Sequence, residues 1–136
     1  MKILIFGNLL VEKDNLALKL IPKLKKEFQE IEFLEADPIE LQNFGREIKI
    51  IDTAEGINKI YELTLENLED FNKLETNKIF SMHDFDLGYN LKLLKKINLI
   101  DKVKIICIPI DIPEKEAFNQ LQLILRKWVA HDMQGS

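Results

Sequence analysis

Short apolar runs and stretches with helical spacing follow one another along the chain. Residues 3–6 form an apolar run, and beyond Asp14 the apolar positions recur every three or four residues. That spacing predicts helices with one buried face. The predicted buried stripes are Ala17, Leu20, Ile21, Leu24 and Phe28 in the first helix and Ala117, Leu121, Ile124, Leu125 and Trp128 in the last. Pro22 falls inside the first helix, where a proline removes a backbone hydrogen bond and favours a kink.

The other apolar runs predict the strands of a sheet. Three compact runs are typical of buried parallel strands, and they are residues 31–35, 47–52 and 103–110. Apolar and polar side chains instead alternate over residues 61–66, which indicates a half-exposed antiparallel strand at an edge. A helical turn over residues 38–44, closed by Gly45, and a helix over residues 86–97 complete the pattern. We therefore predict an α/β fold: a three-layer sandwich with a mixed, mostly parallel sheet of about five strands and helices on both faces.

Length and composition are those of one globular domain. The chain has 136 residues, of which 46% are hydrophobic, and we assign residues 1–130 to a single domain and 131–136 to a flexible C-terminal tail. The net charge is −4 without a basic stripe, so no nucleic-acid partner is indicated. Gly7 and Asn8 interrupt the apolar start before it could cross a bilayer or form a secretory signal, so we expect a cytoplasmic protein without a membrane partner. The single cysteine, Cys107, is expected to be a buried thiol.

Three polar side chains follow apolar runs and are candidates for chemistry: Asp14, Asp52 and His83. Two carboxylates and an imidazole suit a borderline divalent cation such as zinc or nickel, and they leave coordination positions open for water or substrate. Each residue also has an ordinary structural interpretation. Asp14 could be a helix N-cap, Asp52 a turn residue after a strand, and His83 an exposed loop histidine. Spacing alone does not choose between the two interpretations.

The order of these motifs resembles that of the nickel–iron hydrogenase maturation proteases. The motifs are Gly7-Asn8 after the first strand, Asp14 before the first helix, Ile51-Asp52-Thr53-Ala54, His83 after the segment 76–79, and the apolar run 105–109. The resemblance covers nearly the whole chain. There are three departures. Lys13 and Ala17 stand where the family usually has an acidic residue and a glycine, and the usual Gly-x-Gly-Asn opening is reduced to Phe6-Gly7-Asn8.

The resemblance implies a phosphorylase/hydrolase-like fold and an endopeptidase that removes the C-terminal extension of a hydrogenase large-subunit precursor after nickel insertion. It implies that Asp14, Asp52 and His83 are both catalytic residues and metal ligands, and that Gly7 and Asn8 bind the substrate. The nickel would be carried by the precursor, and zinc or cadmium could replace it in vitro. Because no convincing serine–histidine or cysteine–histidine pair is present, the expected nucleophile is water, activated by the metal or by a carboxylate.

A function of a different class stays open, that of a non-catalytic α/β module of the receiver or flavodoxin type. A receiver needs an acidic cluster at the end of the first strand, but Glu12 and Asp14 lie well beyond Phe6. A flavodoxin needs a Ser/Thr-rich phosphate loop there, and residues 9–11 are Leu-Leu-Val. No Gly-x-Gly-x-x-Gly motif accompanies Gly7, so a dinucleotide site is not indicated. A third possibility is a protease relative that binds metal or precursor without cutting it.

Overall fold

A computed structural model of the chain describes residues 1–6, 16–36, 38–55, 57–66, 78–79 and 87–135. The strands are β1 (Lys2–Ile5), β2 (Glu32–Glu35), β3 (Glu47–Glu55), β4 (Tyr61–Thr64), β5 (Lys78–Ile79) and β6 (Lys102–Pro109). The helices are α1 (Leu16–Glu27), a 3-10 helix (Pro38–Phe44), α2 (Leu87–Lys96) and α3 (Glu114–Gly135). None of the helices in these ranges is long and apolar enough to span a membrane.

Strand β3 lies at the centre of the sheet. The strand order is β2-β1-β3-β6-β4, and β5 pairs with β3 outside this path. Neighbouring strands along β2-β1-β3-β6 are parallel. Strand β4 runs antiparallel to β6 at one edge, and β5 runs antiparallel to β3. The predicted mixed, mostly parallel sheet is confirmed, and so is its antiparallel edge strand.

Helices cover both faces of the sheet, which gives the three predicted layers. On one face, the apolar stripes of α1 and α3 pack with Ile51 and Ile106 of the central strands. On the other face, Leu41 of the 3-10 helix and Leu91 of α2 pack with Ile50. This division follows from the alternation of side chains along a strand. The predicted helix stripes are buried at every position except Ile124, which is half-buried.

The end of the third strand differs from the prediction. The apolar run suggests an end at Asp52, but β3 continues to Glu55. Strand β6 pairs with β3 as far as Ala54 and Pro109, and β5 pairs with Ala54 and Glu55. Backbone pairing on both sides thus prolongs the strand beyond its apolar run. Asp52 therefore lies inside a central strand, and its interpretation as a turn residue is wrong.

The ends and interiors of the helices follow local sequence rules. The 3-10 helix ends before Gly45, whose φ of +93° lies in the left-handed region that favours glycine. Helix α1 continues through the exposed Pro22, although proline is unfavourable there. Helix α3 continues to Gly135, because no proline or glycine interrupts it earlier, so most of the expected tail is helical. The flexibility of residues 131–136 stays a prediction.

Candidate active site

Asp52 lies where the central strand passes the end of β1. Strands β1 and β3 pair at Ile5 and Ile51, and beyond that pair the Phe6 N–H donates a 3.0 Å hydrogen bond to the Ile51 carbonyl. Asp52 is the next residue along β3, and it pairs in register with Cys107 of β6. The carboxylate therefore lies in the second half of the central strand, toward the edge of the sheet at which open α/β proteins bind their ligands.

The Asp52 side chain is 0% exposed. By the alternation of the strand it shares a face with Ile48 and Ile50, on the side of the sheet covered by α2 and the 3-10 helix. Its Oδ1 accepts a 2.8 Å hydrogen bond from the Thr53 N–H. An ionised carboxylate is costly to bury unless hydrogen bonds or opposite charges compensate it. Apolar packing thus does not account for an aspartate at this position, and Asp52 marks a candidate site.

Cys107 is fully buried beside Asp52. Burial raises the pKa of the Cys107 thiol, and the negative charge of Asp52 raises it further. The thiol is therefore protonated at physiological pH, and a protonated thiol is a poor nucleophile and a poor metal ligand. The predicted buried thiol is confirmed, and Cys107 does not serve as a cysteine-protease nucleophile.

One of the five predicted site residues, Asp52, belongs to the part of the chain that the structure describes. Asp14, His83, Gly7 and Asn8 lie outside the described residues, so their assignment stays a prediction. Among the residues that are described, no three His, Cys, Asp or Glu side chains form a metal-binding group.

Sequence reasoning recognised Asp52 and Cys107 separately but missed that they are neighbours. The register of a strand pair depends on contacts between distant segments, which a single sequence does not report. The predicted strands 47–52 and 103–110 gave no signal of this pairing, because Asp52 is the sixth residue of one and Cys107 the fifth of the other. His131 is exposed near the end of α3, far along the chain from this site.

Two solved structures share this arrangement of strands and helices. The NiFe hydrogenase maturation protease HybD from Thermococcus kodakarensis superimposes with a TM-score of 0.63 and 23% identity, over 96% of this chain and 99% of that chain. This chain has the fold of a hydrogenase maturation protease. An uncharacterized protein from Wolinella succinogenes superimposes with a TM-score of 0.55 and 15% identity, over 99% of this chain and 98% of that chain. No protein-family model and no curated protein sequence matches the chain.

The structural likeness to HybD confirms, at the level of the fold, the resemblance that the order of the motifs predicted. It extends over almost the full length of both chains, so no large insertion separates the two architectures. A shared fold does not by itself establish a shared activity, since activity resides in the side chains of the site.

Proposed function

We propose that the protein is an endopeptidase that removes the C-terminal extension of a nickel–iron hydrogenase large-subunit precursor after nickel insertion. The observation that carries this proposal is the fully buried Asp52 in the central strand of a chain with the maturation-protease fold. A carboxylate that apolar packing does not explain is a candidate for binding a cation or for acid–base chemistry. The proposed enzyme acts in the cytoplasm.

Nickel enters the proposed reaction as part of the substrate, bound to the precursor. Asp14, Asp52 and His83 would supply two oxygen ligands and one nitrogen ligand to it, a set that nickel accepts and that zinc or cadmium would accept in vitro. Gly7 and Asn8 would contact the precursor beside this site. Gly7, Asn8 and Asp14 follow β1 in the sequence, and Asp52 lies level with the end of β1. This order supports the proposal that they belong to one site.

Holding the nickel would fix the adjacent peptide bond against the protease. Positioning of this kind lowers a reaction barrier by up to about 7–11 kcal/mol when the geometry is ideal. The proposed nucleophile is water, activated by the metal or by one of the carboxylates. Its proton is taken up by a carboxylate and is then available for the leaving amine.

The decisive test compares Asp52→Asn with Asp111→Asn in cleavage of nickel-loaded precursor. Asparagine keeps an oxygen that can accept the Thr53 N–H but removes the negative charge of Asp52. We expect Asp52→Asn to slow cleavage by about two orders of magnitude, the scale of a lost electrostatic contact in an active site. Asp111 is exposed just after β6, so the matched control should cleave at the wild-type rate.

Circular dichroism melting of both variants separates a lost activity from a lost fold. A folded Asp52→Asn protein that cleaves at the wild-type rate would refute the assignment of Asp52. A wild-type protein that binds nickel-loaded precursor but never cleaves it would identify a non-catalytic relative instead. Calorimetric titration of the free protein with cadmium gives a second readout, since binding should weaken in Asp52→Asn and persist in Asp111→Asn.

A further inference from the structure

A cleft of about 380 Å³ opens at the amino end of the sheet, between the first residues of β3 and β6 and the last turns of α3. Charged side chains form most of its lining, and Ile48 and Trp128 of the apolar core complete it. The lining residues are Glu47, Ile48, Lys49, Lys102, Lys104, Trp128, His131 and Asp132. A cavity of this volume lies in the range of small-molecule sites.

The register of β3 and β6 brings the lysines of this cleft together. Lys49 pairs with Lys104, and Glu47 pairs with Lys102, along two parallel strands. All four residues belong to the face that α1 and α3 cover, because they alternate with core residues of the other face such as Ile48. Like charges side by side on neighbouring strands are unfavourable unless a compensating charge lies nearby.

Among the residues that the structure describes, the acidic partner of Lys49 is distant. The Lys49 side chain is 15% exposed, and the carboxylate paired with it, Glu47 Oε2, lies 4.0 Å from Nζ. That distance is the limit of an ion pair and is too long for a hydrogen bond. Glu47 is itself 59% exposed, so water screens its charge. In the described structure, the largely buried Lys49 ammonium can therefore donate hydrogen bonds to a ligand.

Lys104 and Trp128 form a mixed wall of the cleft. The Lys104 Nζ lies 5.5 Å from the centroid of the Trp128 ring, a cation–π distance. The Trp128 indole N–H donates a 3.1 Å hydrogen bond to Glu62, which fixes the ring. A cation–π contact leaves the positive charge of the lysine available to an anion. The wall therefore combines an ammonium group with an indole ring that is 6% exposed.

We propose that this amino-end cleft binds a small molecule that carries a phosphate group. Phosphate oxygens accept hydrogen bonds from several directions, which suits ammonium groups converging from two strands. The three lysines outnumber the two carboxylates of the lining, Glu47 and Asp132. The volume of the cleft exceeds that of phosphate alone, which leaves room for an organic moiety.

The amino-end cleft is separate from the proposed peptidase site. Asp52 belongs to the other face of the sheet and to the opposite half of β3. Ligand binding in the cleft is therefore measurable without precursor, and it neither requires nor establishes peptidase activity.

The test is a fluorescence titration with pyrophosphate and with inorganic phosphate at constant ionic strength. Trp128 is the single tryptophan of the chain and lines the cleft, so its emission reports binding there. We expect saturable binding of pyrophosphate, and weaker binding of phosphate because it carries less charge. Lys49→Gln and Lys104→Gln should each weaken pyrophosphate binding roughly tenfold, as loss of a charge-assisted hydrogen bond implies. The exposed Lys26→Gln is the matched control and should bind as the wild type does.

Absence of saturable binding for both probes up to about 10 mM, a concentration that detects even weak sites, would overturn the proposal. Binding that Lys26→Gln weakens as much as Lys49→Gln does would also overturn it, because that result indicates nonspecific attraction. Melting curves of the free variants establish whether each is folded. If Lys49→Gln does not fold, the titration of Lys104→Gln decides the outcome.

Discussion

The side chains of Asp52 and Cys107 are buried next to each other in the middle of the sheet, and they illustrate what a single residue contributes. The cysteine is as buried as its isoleucine neighbours Ile106 and Ile108, whereas the aspartate places a carboxylate in the same core. Sequence alone identifies Cys107 as a core residue, since its apolar run leaves no other place for it. It does not decide between a turn and a buried site for Asp52, because that choice depends on how far β6 and β5 extend beside β3.

The reactivity of Cys107 follows from its burial. Because burial raises the pKa of its thiol and Asp52 raises it further, we expect no measurable alkylation by iodoacetamide in the native protein at pH 8. Reaction should begin only in the unfolding transition with urea. Since Cys107 is the only cysteine, mass spectrometry of the intact chain measures the modified fraction directly. Rapid alkylation without denaturant would contradict the buried position.

At the scale of the elements, helical periodicity was the most informative feature of the sequence. The stripes of α1 and α3 are buried as predicted, because a helix that lies on a sheet must bury one continuous face. The strands were harder to delimit. Alternation is visible at the start of β3, where Glu47 and Lys49 flank Ile48, but residues 47–52 as a whole predict a compact buried strand. The charged face that lines the amino-end cleft was missed for that reason.

Two leucines of α3, Leu121 and Leu123, test which face of the helix is buried. Leu121 is 0% exposed against the sheet, whereas Leu123 is 68% exposed. Leu121→Ala should reduce the free energy of unfolding by roughly 2–5 kcal/mol, through lost burial and the cavity that remains. Leu123→Ala should change it by less than about 0.5 kcal/mol. Urea denaturation followed by circular dichroism measures both, and equal effects of the two variants would contradict the described orientation of α3.

Across the whole molecule, the two ends of the sheet differ in what the sequence could reveal about them. At the carboxyl end, Asp52 was recognised through a resemblance in the order of segments along the chain. The amino end carries no motif, and its lysines meet only through strand register and the docking of α3. A site assembled from separate segments without a characteristic spacing is not predictable from one sequence.

A long-range ion pair between Arg46 and Asp101 also lies at the amino end of the sheet. Arg46 donates hydrogen bonds of 2.8 Å from Nε and from Nη2 to the two carboxylate oxygens of Asp101. Its Nη1 donates to the Asn98 carbonyl at 2.6 Å, and the Arg46 carbonyl accepts the Asp101 N–H at 2.7 Å. These bonds join the start of β3 to the segment between α2 and β6. Because both side chains are exposed, solvent and salt weaken the ion pair.

This ion pair predicts how stability depends on pH. The Arg46 side chain, first by hydrogen bonding and then by its charge, holds the pKa of the Asp101 carboxyl below its ordinary value. A carboxyl whose pKa is lower in the folded state stabilises the fold fully at pH values above its unfolded-state pKa of about 3.9. That contribution is lost as the pH falls through the lower folded-state pKa. The wild type should therefore be more stable than Asp101→Asn at pH 7, and the difference should shrink below about pH 4. Urea denaturation of both proteins at pH 7 and in acid measures this difference, with Asp111→Asn as the control that shows none. A difference that stays constant into acid would mean that the substitution acts through something other than the charge of the Asp101 carboxylate.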